Sequence, residues 1–482
     1  MNNRSITFYI ENLSNVPWEQ AASAKARHHF EVNVLGQLLR FKNGKLHSDF
    51  LERFEHNEES NTYIFTLKPN LYFHNGRSVH AKDLEFSLVR CFFASKPNEG
   101  SMENFDILGL DKINHGTPYA SAIVRGIKIL DELSLSVQLN EKNILFLNSL
   151  CQTSYSLVPQ EELCEDLIEW NKWPIGVGDY KVIESDYENK IFTLELVNEN
   201  LNNQPKIVYF STKLTQNPDL SNANLNFAND PYYKIAELNC YTGKRLILFN
   251  FNHKFSKQYN FRRAIELALN KEDIAKETKR KSEELHEILL PKSIGRSENT
   301  VSQNIEKGKM LLEMCLDADE RNKTYKIPIS ADSYLGNNYK LTIEKQLQDI
   351  GLKVEFVESD KLWHVFYDEF TDSPFRLCSQ IADNDNPILN FSYFRSASAQ
   401  FYQHPNDISY DKLYCKTQRS KSTEELIQRL KELSENISDS TVAIPLFCFK
   451  EKISYNSQKI QEISPEQMEQ NILHFSNIVM KT

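Results

Sequence analysis

The sequence predicts an α/β protein with more than one domain, on the basis of three observations. Residues 62–93 change from the alternating pattern of a strand to the 3.6-residue period of a helix. A helical pattern followed by a strand returns at residues 339–356, which is typical of βαβ units. The chain has 482 residues, which is longer than a single domain usually needs.

Composition and charge exclude some classes of protein. Hydrophobic residues make up 40% of the chain and aromatic residues 11%, enough to build a substantial core. The net charge of −10 argues against sequence-independent binding of nucleic acid, which requires clustered Lys and Arg. No apolar run approaches the roughly 20 residues of a membrane-spanning helix. We therefore expect neither direct nucleic-acid binding nor a membrane span.

The N-terminal sequence and the cysteines bear on the compartment. The first 16 residues are polar and contain no apolar signal core. We expect an extracytoplasmic or cell-surface location if a signal was removed, and a cytoplasmic one if this is the whole chain. The eight cysteines form no C-x-x-C pair, so zinc and dithiol-redox signatures are absent. Most are flanked by apolar residues, and we expect them to be small buried side chains.

The block at residues 62–93 contains the clearest local signals. Residues 63–67 alternate in side-chain character and favour a half-buried strand. Asn75 and Gly76 tolerate the positive φ that a tight turn requires. Asp83 lies where the positive end of a helix dipole favours a carboxylate. The predicted helix has an apolar stripe at helical spacing, formed by Ala81, Leu84, Leu88 and Phe92.

The other predicted elements follow from the same periodicities. Predicted strands have alternating or continuous apolar residues and cover residues 6–10, 123–139, 191–197, 246–251, 352–356 and 441–449. Predicted helices have apolar stripes and cover residues 141–150, 261–268, 305–316, 339–350 and 426–433. Gly351 is a plausible C-cap of the fourth of these helices. The 441–449 strand is expected to lead the chain back towards its N-terminal part.

Two glycine-containing segments superficially resemble phosphate-binding loops. Gly176 and Gly178 are followed by a strand pattern rather than a helix, so we interpret residues 173–180 as a turn. The segment from Thr242 to Arg245 lacks the earlier glycine, and the Ser or Thr after lysine, of a Walker loop. Neither segment therefore predicts nucleotide binding.

Several of these blocks, in this order, resemble the family 5 extracellular solute-binding proteins, the peptide- and nickel-binding receptors of ABC importers. Residues 65–87 resemble the family's signature block, in which a strand leads through Asn75-Gly76 to a helix with an A-x-D start. Residues 173–180 resemble its P-x-G-T-G-P-Y turn, with Asp179 in place of Pro. Residues 261–271 resemble the helix block that ends in Asp-Arg in the family and in Asn-Lys here.

The resemblance implies a two-lobed periplasmic-binding-protein-like fold, type II of the large cluster, with an extra subdomain on the first lobe. We expect lobe one to contain residues 1–39, 160–245 and 450–482, and lobe two to contain residues 246–449. The extra subdomain is expected at residues 40–159. The chain would cross between the lobes near Lys244 and near Phe449.

The resemblance also implies a ligand site between Trp363 and Pro387. In peptide-binding members a carboxylate pairs with the α-ammonium of the peptide, and Asp383 takes that place here. A charge-assisted bond is the strongest that an ammonium group can form there. The main-chain groups of Gln380, Ile381 and Ala382 would pair with the peptide like an added strand. Trp363 matches an aromatic residue that lines a side-chain pocket.

This chain departs from the family pattern at several of these positions. Gln380 replaces the usual Trp, and Asn384 replaces Tyr. The position six residues before Asp383 is basic in some peptide binders and is Leu377 here, with Arg376 beside it as a substitute. These departures bear on the peptide ligand more than on the fold. From spacing alone, Asp383 could equally cap a polar loop.

We therefore predict a solute-binding protein that captures a small ligand, foremost a peptide, in an interlobe cleft for ABC-transporter uptake. Lobe closure on the ligand would shift a hinge equilibrium, and a permease would read the closed form. We find no G-x-S-x-G or H-E-x-x-H motif, and so predict no enzyme, no metal site and no cofactor. We interpret His28-His29 as a surface pair, and we expect a monomer.

One alternative belongs to a different functional class. The ligand-sensing domains of bacterial sugar-stress regulators also resemble this chain, particularly at residues 14–41 and at Trp363-His364. The binding-domain pattern begins by Ile6, which leaves no room for a DNA-binding part. The alternative is therefore a cytoplasmic ligand-sensing domain of a regulator-like protein without its DNA-binding part.

Overall fold

The structure is a computed structural model. It describes residues 4–481 except 11–23, 43, 95–105, 187, 190, 199, 212, 215–216, 223–229, 331–334, 360–369, 382–385, 397–406, 465–467 and 470–471.

Strands and helices are mixed along the described chain, as the sequence predicts. The strands are β1 (Ser5–Tyr9), β2 (Arg40–Lys42), β3 (Lys45–His47), β4 (Leu51–Asn57), β5 (Thr62–Leu67), β6 (Ile127–Ile129), β7 (Ser134–Gln138), β8 (Tyr180–Asp186), β9 (Ile191–Leu196), β10 (Ile207–Ser211), β11 (Leu220–Ser221), β12 (Tyr233–Glu237), β13 (Gly243–Phe249), β14 (Ser282–Glu284), β15 (Thr324–Ser330), β16 (Lys353–Ser359), β17 (Phe375–Ile381), β18 (Ala443–Phe449), β19 (Lys452–Asn456), β20 (Met468–Glu469) and β21 (Ile472–Leu473). The α-helices are α1 (Ala24–Val34), α2 (Ala81–Phe93), α3 (Phe146–Ser149), α4 (Tyr259–Ala268), α5 (Lys271–Lys276), α6 (Ile305–Glu313), α7 (Ala318–Asn322), α8 (Asn338–Asp349), α9 (Ile408–Gln418) and α10 (Thr423–Ser440).

Lobe one is built on a seven-stranded sheet with the order β12-β19-β11-β1-β10-β9-β8. The N-terminal strand β1 lies inside this sheet and pairs in parallel with β10 and β11. Its core includes Phe8, whose ring makes edge contacts with Phe210 and Phe475, each at a centroid distance of 5.6 Å. Strands from the N-terminal, middle and C-terminal parts of the chain therefore share one core.

Lobe two is built on a six-stranded sheet with the order β14-β18-β13-β17-β15-β16. Every residue of β13 and of β18 is buried, and both strands lie inside this sheet rather than at its edge. The stripe predicted for α8 is confirmed, since Tyr339, Ile343 and Leu347 lie in this core. β18 pairs with β13 and β14, so the predicted 441–449 strand lies within the lobe-two sheet.

The extra subdomain is built on the antiparallel sheet β4-β5-β7-β6, against which α2 packs. The predicted strand-turn-helix block is confirmed as β5 and α2, and Leu84 and Leu88 of the predicted stripe are fully buried. The carboxylate of Asp83 accepts a hydrogen bond from the backbone N–H of His80 at 2.8 Å and pairs with Arg77 at 2.9 Å. Asp83 therefore caps the helix and joins it to the preceding turn.

Some local predictions were wrong. The helix predicted over residues 141–150 is reduced to the four residues of α3. The Asn143 side chain accepts a hydrogen bond from the backbone N–H of Leu145 at 2.9 Å, so a turn replaces the first part of that helix. The cysteines are free, but only four of the eight are buried, and Cys240 is exposed. No helix among the described residues is long and apolar enough to cross a membrane.

The turn prediction for residues 173–180 is confirmed, and β8 follows it. A Cβ atom at Gly178 would lie 2.4 Å from the carbonyl oxygen of Asn33, so the turn requires glycine at this close approach. The Nε2 atom of His74 lies 2.9 Å from the carbonyl oxygen of Gly178. Burial lowers the pKa of His74 to about 4, so the neutral ring donates this hydrogen bond. This contact attaches the extra subdomain to lobe one.

The chain passes from lobe one to lobe two between β12 and β13, and it returns between β18 and β19. The two crossing segments are hydrogen-bonded to each other. The backbone N–H of Leu238 donates to the carbonyl of Glu451 at 3.0 Å, and that of Thr242 donates to the carbonyl of Phe449 at 3.3 Å. The lobes are thus connected by two paired segments, which is the arrangement that a hinge requires. The residue bounds proposed for the domains remain a prediction.

Candidate functional site

Three of the six predicted ligand residues lie on β17. Gln380 and Ile381 form its C-terminal end, and Arg376 lies near its start. The other three, Trp363, Ala382 and Asp383, lie outside the described residues. Their roles therefore stay predictions.

The end of β17 lies beside the segments that cross between the lobes. Ile381 pairs with Gly243 across β13, and Gly243 pairs with Phe449 of β18 on its other side. Gly243 is the first residue of lobe two after the crossing. Gln380 and Ile381 are therefore located where a cleft between the lobes would begin.

The described strands flank β17 differently on its two edges. β13 pairs with β17 along its whole length, from Phe375 to Ile381. On the opposite edge, β15 pairs with β17 in parallel at Leu377 and ends one residue later. Among the described residues, no strand continues β15 beside Ser379, Gln380 and Ile381. Among the described strands, these three residues therefore pair with β13, and residues 331–334, which follow β15, lie outside the described part of the chain.

Gln380 combines burial with an unused hydrogen-bond acceptor. Its side chain is buried, and its Oε1 atom has no hydrogen-bond partner among the described residues. A buried acceptor without a donor is unfavourable, so a polar group that supplies the donor would be stabilised there. Ile381 is half-buried and offers apolar surface next to it.

Arg376 lies far from the end of β17 at Gln380 and Ile381. It pairs with Leu248 at the other end of the strand, five residues before Ile381. At roughly 3.3 Å per residue the separation along β17 is about 17 Å. Arg376 is also only 2% exposed, which leaves little surface for a ligand to contact. The geometry gives no support to a ligand-binding role for Arg376, which stays a prediction.

Two further basic residues on β13 were not recognised from the sequence as part of this region. Lys244 and Arg245 are both fully buried. The Lys244 ammonium group donates to the carbonyl of Ile288 at 2.7 Å and to Oδ1 of Asn390 at 2.9 Å. Burial lowers the pKa of Lys244 to about 7. The signal that could have found these residues is a pair of basic residues at the start of a strand that is otherwise entirely apolar.

Arg245 connects β13 to the neighbouring strand β17 and to helix α8. Its guanidinium donates to Oγ of Ser379 at 2.7 Å and to the hydroxyl of Tyr339 at 2.8 Å. Arg245 and Ser379 are cross-strand partners, so their side chains share a face of the sheet. This pair fixes the strand immediately before Gln380 and Ile381.

Two cavities lie elsewhere. One, of about 540 Å³, lies beside β14 at the outer edge of the lobe-two sheet, and among its lining residues are Glu272, Lys276, Glu283, Glu284, His286 and Arg296. The other, of about 310 Å³, lies between the extra subdomain and lobe two, and among its lining residues are Glu141, Lys416, Arg419, Lys421, Glu425 and Arg429. Neither cavity contains a predicted ligand residue. Within the described part of the chain, no three His, Cys, Asp or Glu side chains cluster to hold a metal ion.

Comparison with known proteins identifies the family. The family model for bacterial extracellular solute-binding proteins, family 5 (middle region), matches residues 45–401. The chain belongs to this family. Among the relatives of this family 5 protein is the dipeptide-binding protein DppE of Bacillus subtilis strain 168. It is 22% identical over 461 residues, which cover 88% of this chain and 83% of the relative.

Solved structures confirm the predicted two-lobed fold of this family 5 protein. Haemophilus influenzae OppA, in complex with the peptide RPPGFSPFR, is 15% identical with a TM-score of 0.80, and all of both chains is covered. A dipeptide-binding protein of Pseudoalteromonas sp. SM9913, in complex with Met-Leu, is 16% identical with a TM-score of 0.79, covering 99% of this chain and all of that one. These relatives are binding proteins, so the regulator-like alternative receives no support from them.

Proposed function

We propose that this family 5 protein captures a peptide between its two lobes and presents it to the permease of an ABC importer. The DppE relative is a dipeptide-binding protein by name, and two structures of the same fold were solved with bound peptides. These relatives favour a peptide over other small ligands. The geometry of β17 supplies an independent argument.

The observation that carries the proposal is the position of Gln380 and Ile381 at the end of β17, beside the segments that cross between the lobes and with the buried Oε1 of Gln380 unpaired among the described residues. One side of this segment is paired with β13, while β15 ends before it. An extended peptide that lies along residues 380–382 would pair its own N–H and C=O groups with the protein backbone, like an added strand. Such pairing depends on the peptide backbone and therefore tolerates different peptide sequences.

Side chains at and beyond the end of β17 would then fix the direction of the peptide. Asp383 would accept the α-ammonium group in a charge-assisted hydrogen bond. Trp363 would line a pocket for a peptide side chain. The buried Oε1 of Gln380 would accept a hydrogen bond from a ligand N–H at the position where the family pattern has Trp.

Closure of the lobes would couple binding to transport. A peptide that contacts both lobes binds the closed arrangement more tightly than the open one, and it therefore shifts the population towards closure. The movement would take place in the paired crossing segments beside Gly243 and Phe449. A permease that recognises both lobes together would then distinguish loaded from unloaded protein.

The test is thermal unfolding of the purified full chain with pools of di- to pentapeptides. A ligand that binds the folded state alone raises the melting temperature by mass action, and the rise increases with ligand concentration. We expect at least one peptide pool to raise it. A nickel–histidine complex provides the contrasting probe, since a Staphylococcus aureus NikA structure with Ni(L-His)2 shares the fold at a TM-score of 0.78. A rise with that complex and with none of the peptide pools would contradict the proposal.

A further inference from the structure

A loop of the extra subdomain reaches across to lobe two. This loop, residues 141–149, is named the closing loop here. Its Leu145 side chain is 3% exposed and belongs to the hydrophobic core of lobe two rather than to that of its own subdomain. Ile144 packs against the same core. The hydrogen bond from the Leu145 N–H to the Asn143 side chain fixes the turn that presents Leu145.

Hydrogen bonds reinforce the insertion of Leu145. The backbone N–H of Ile144 donates to the carbonyl of Ser420 at 3.4 Å. The side-chain amide of Asn386 donates to Oγ of Ser149 at 3.2 Å, and both side chains are buried. Oγ of Ser149 in turn donates to the carbonyl of Leu145 at 3.0 Å. Buried polar groups of the extra subdomain and of lobe two are thus hydrogen-bonded to each other. Separating the two would break these hydrogen bonds and expose the groups to water.

Ion pairs surround this contact at the surface. Glu141 lies 3.4 Å from Lys421, and Asp106 lies 3.7 Å from Arg419. Each pair joins the extra subdomain to lobe two beside the cavity of about 310 Å³. Exposed pairs contribute little individually, so their main effect is to align the two surfaces.

The extra subdomain is also attached to lobe one. Phe86 of α2 belongs to the lobe-one core, and Oγ of Ser156 donates to the carbonyl of Gly36. His74 donates to Gly178 across the same boundary. A subdomain held this way moves with lobe one. Rotation of lobe two about the crossing segments must therefore withdraw Leu145 from the lobe-two core.

We infer that the closing loop holds lobe two against the extra subdomain, so that the balance between open and closed lobes depends on Leu145 as well as on ligand. This inference rests on the proposed capture of a ligand by lobe closure. A buried leucine is the main contributor because removing its apolar surface from water outweighs the exposed ion pairs. If loss of Leu145 lowers the closed fraction tenfold, the apparent Kd rises about tenfold without any change at the ligand contacts.

The test compares Leu145→Asp with wild type by small-angle X-ray scattering of the full chain. The protein is first unfolded and refolded to remove bound molecules. We expect a larger radius of gyration for Leu145→Asp, because a carboxylate is excluded from the lobe-two core. The matched control is Leu130→Asp, in the same subdomain but 53% exposed, which should scatter like wild type. A folded Leu145→Asp protein with the wild-type radius of gyration would overturn the inference.

A second variant covers the possibility that Leu145→Asp does not fold. Leu145→Ala removes most of the inserted side chain without adding a charge. Circular dichroism checks that this variant is folded. It should also shift to a larger radius of gyration, and an unchanged value would overturn the inference. Because scattering is measured without ligand, this result is independent of whether peptides bind. If no peptide pool raised the melting temperature, the proposed peptide-binding function would be contradicted. The scattering result on the contact between the lobes would still stand.

Discussion

The ring of Phe449 occupies the space where any residue larger than glycine at position 243 would place its Cβ atom. That Cβ would lie 2.3 Å from two atoms of the ring. The two residues are cross-strand partners on β13 and β18, at the point where the chain passes between the lobes. Close packing of backbone against an aromatic ring at this point keeps the two crossing segments in register.

We expect Gly243→Ala to destabilise the protein by about 1–3 kcal/mol, because the added methyl group overpacks a buried site. Urea unfolding of both proteins measures the difference. The double variant Gly243→Ala with Phe449→Leu should recover part of the loss, since the smaller side chain provides room. Equal stability of Gly243→Ala and wild type would show that the ring can move away freely.

Asp383→Asn is expected to weaken binding of a peptide with a free α-amino group by roughly 10- to 100-fold, since a hydrogen bond to a charged group contributes about 1.5–3 kcal/mol. An N-acetylated form of the same peptide should be almost unaffected. Isothermal titration calorimetry measures both affinities. The matched control is Asp385→Asn in the same segment, which should not distinguish the two peptides. Equal weakening of both peptides by Asp383→Asn would assign that aspartate a structural role.

The buried Lys244 predicts a pH dependence of stability. Its pKa of about 7 in the folded protein lies below the value of about 10.4 in an unfolded chain. Between these values the unfolded chain binds more protons, so this residue makes stability rise with pH from about 7 to about 10. The slope is at most about 1.4 kcal/mol per pH unit.

Lys244→Met should remove that contribution. Urea unfolding at pH 7 and pH 9 should show a smaller gain in stability for the variant than for wild type. Lys128→Met, which replaces an exposed lysine, is the control and should behave like wild type. The same gain in Lys244→Met and wild type would mean that Lys244 stays protonated when the protein is folded.

The capping interaction of α2 predicts a local stability effect. Asp83→Ala removes the acceptor for the His80 N–H and the partner of Arg77, and we expect a loss of about 2 kcal/mol. Lys82→Ala is the matched control because Lys82 is the exposed neighbour on the same helix turn. Thermal unfolding measures both. An equal, small change in the two variants would contradict the capping role.

Much of the fold could be predicted from local patterns. The block at residues 62–93 gives its strand and helix directly, since alternation and a 3.6-residue period report which face is buried. Helix α8 follows from its helical period in the same way. The turn at residues 173–180 follows from two glycines with a strand pattern after them. The ordered blocks also predicted the family, whose model matches residues 45–401.

The site was less predictable. The residues at 380 and 381 were named from the family pattern, but their place beside the crossing segments depends on the pairing of β17 with β13, which is distant in the chain. Arg376 was proposed from its sequence position beside Leu377, and the register of β17 places it about 17 Å from Ile381. The helix predicted at 141–150 is shortened by the turn at Asn143, and Leu145 after this turn packs into a core that belongs to the other lobe.

The sequence by itself determined the strands and helices with strong periodicity, the family and the segment in which a ligand site is expected. Only the tertiary structure decided the register of β17 in its sheet, how the crossing segments pair and which lobe receives Leu145. The physical reason is that periodicity records burial along one element, whereas sheet order, register and contact between lobes depend on residues that are distant in the chain. No local pattern contains that information.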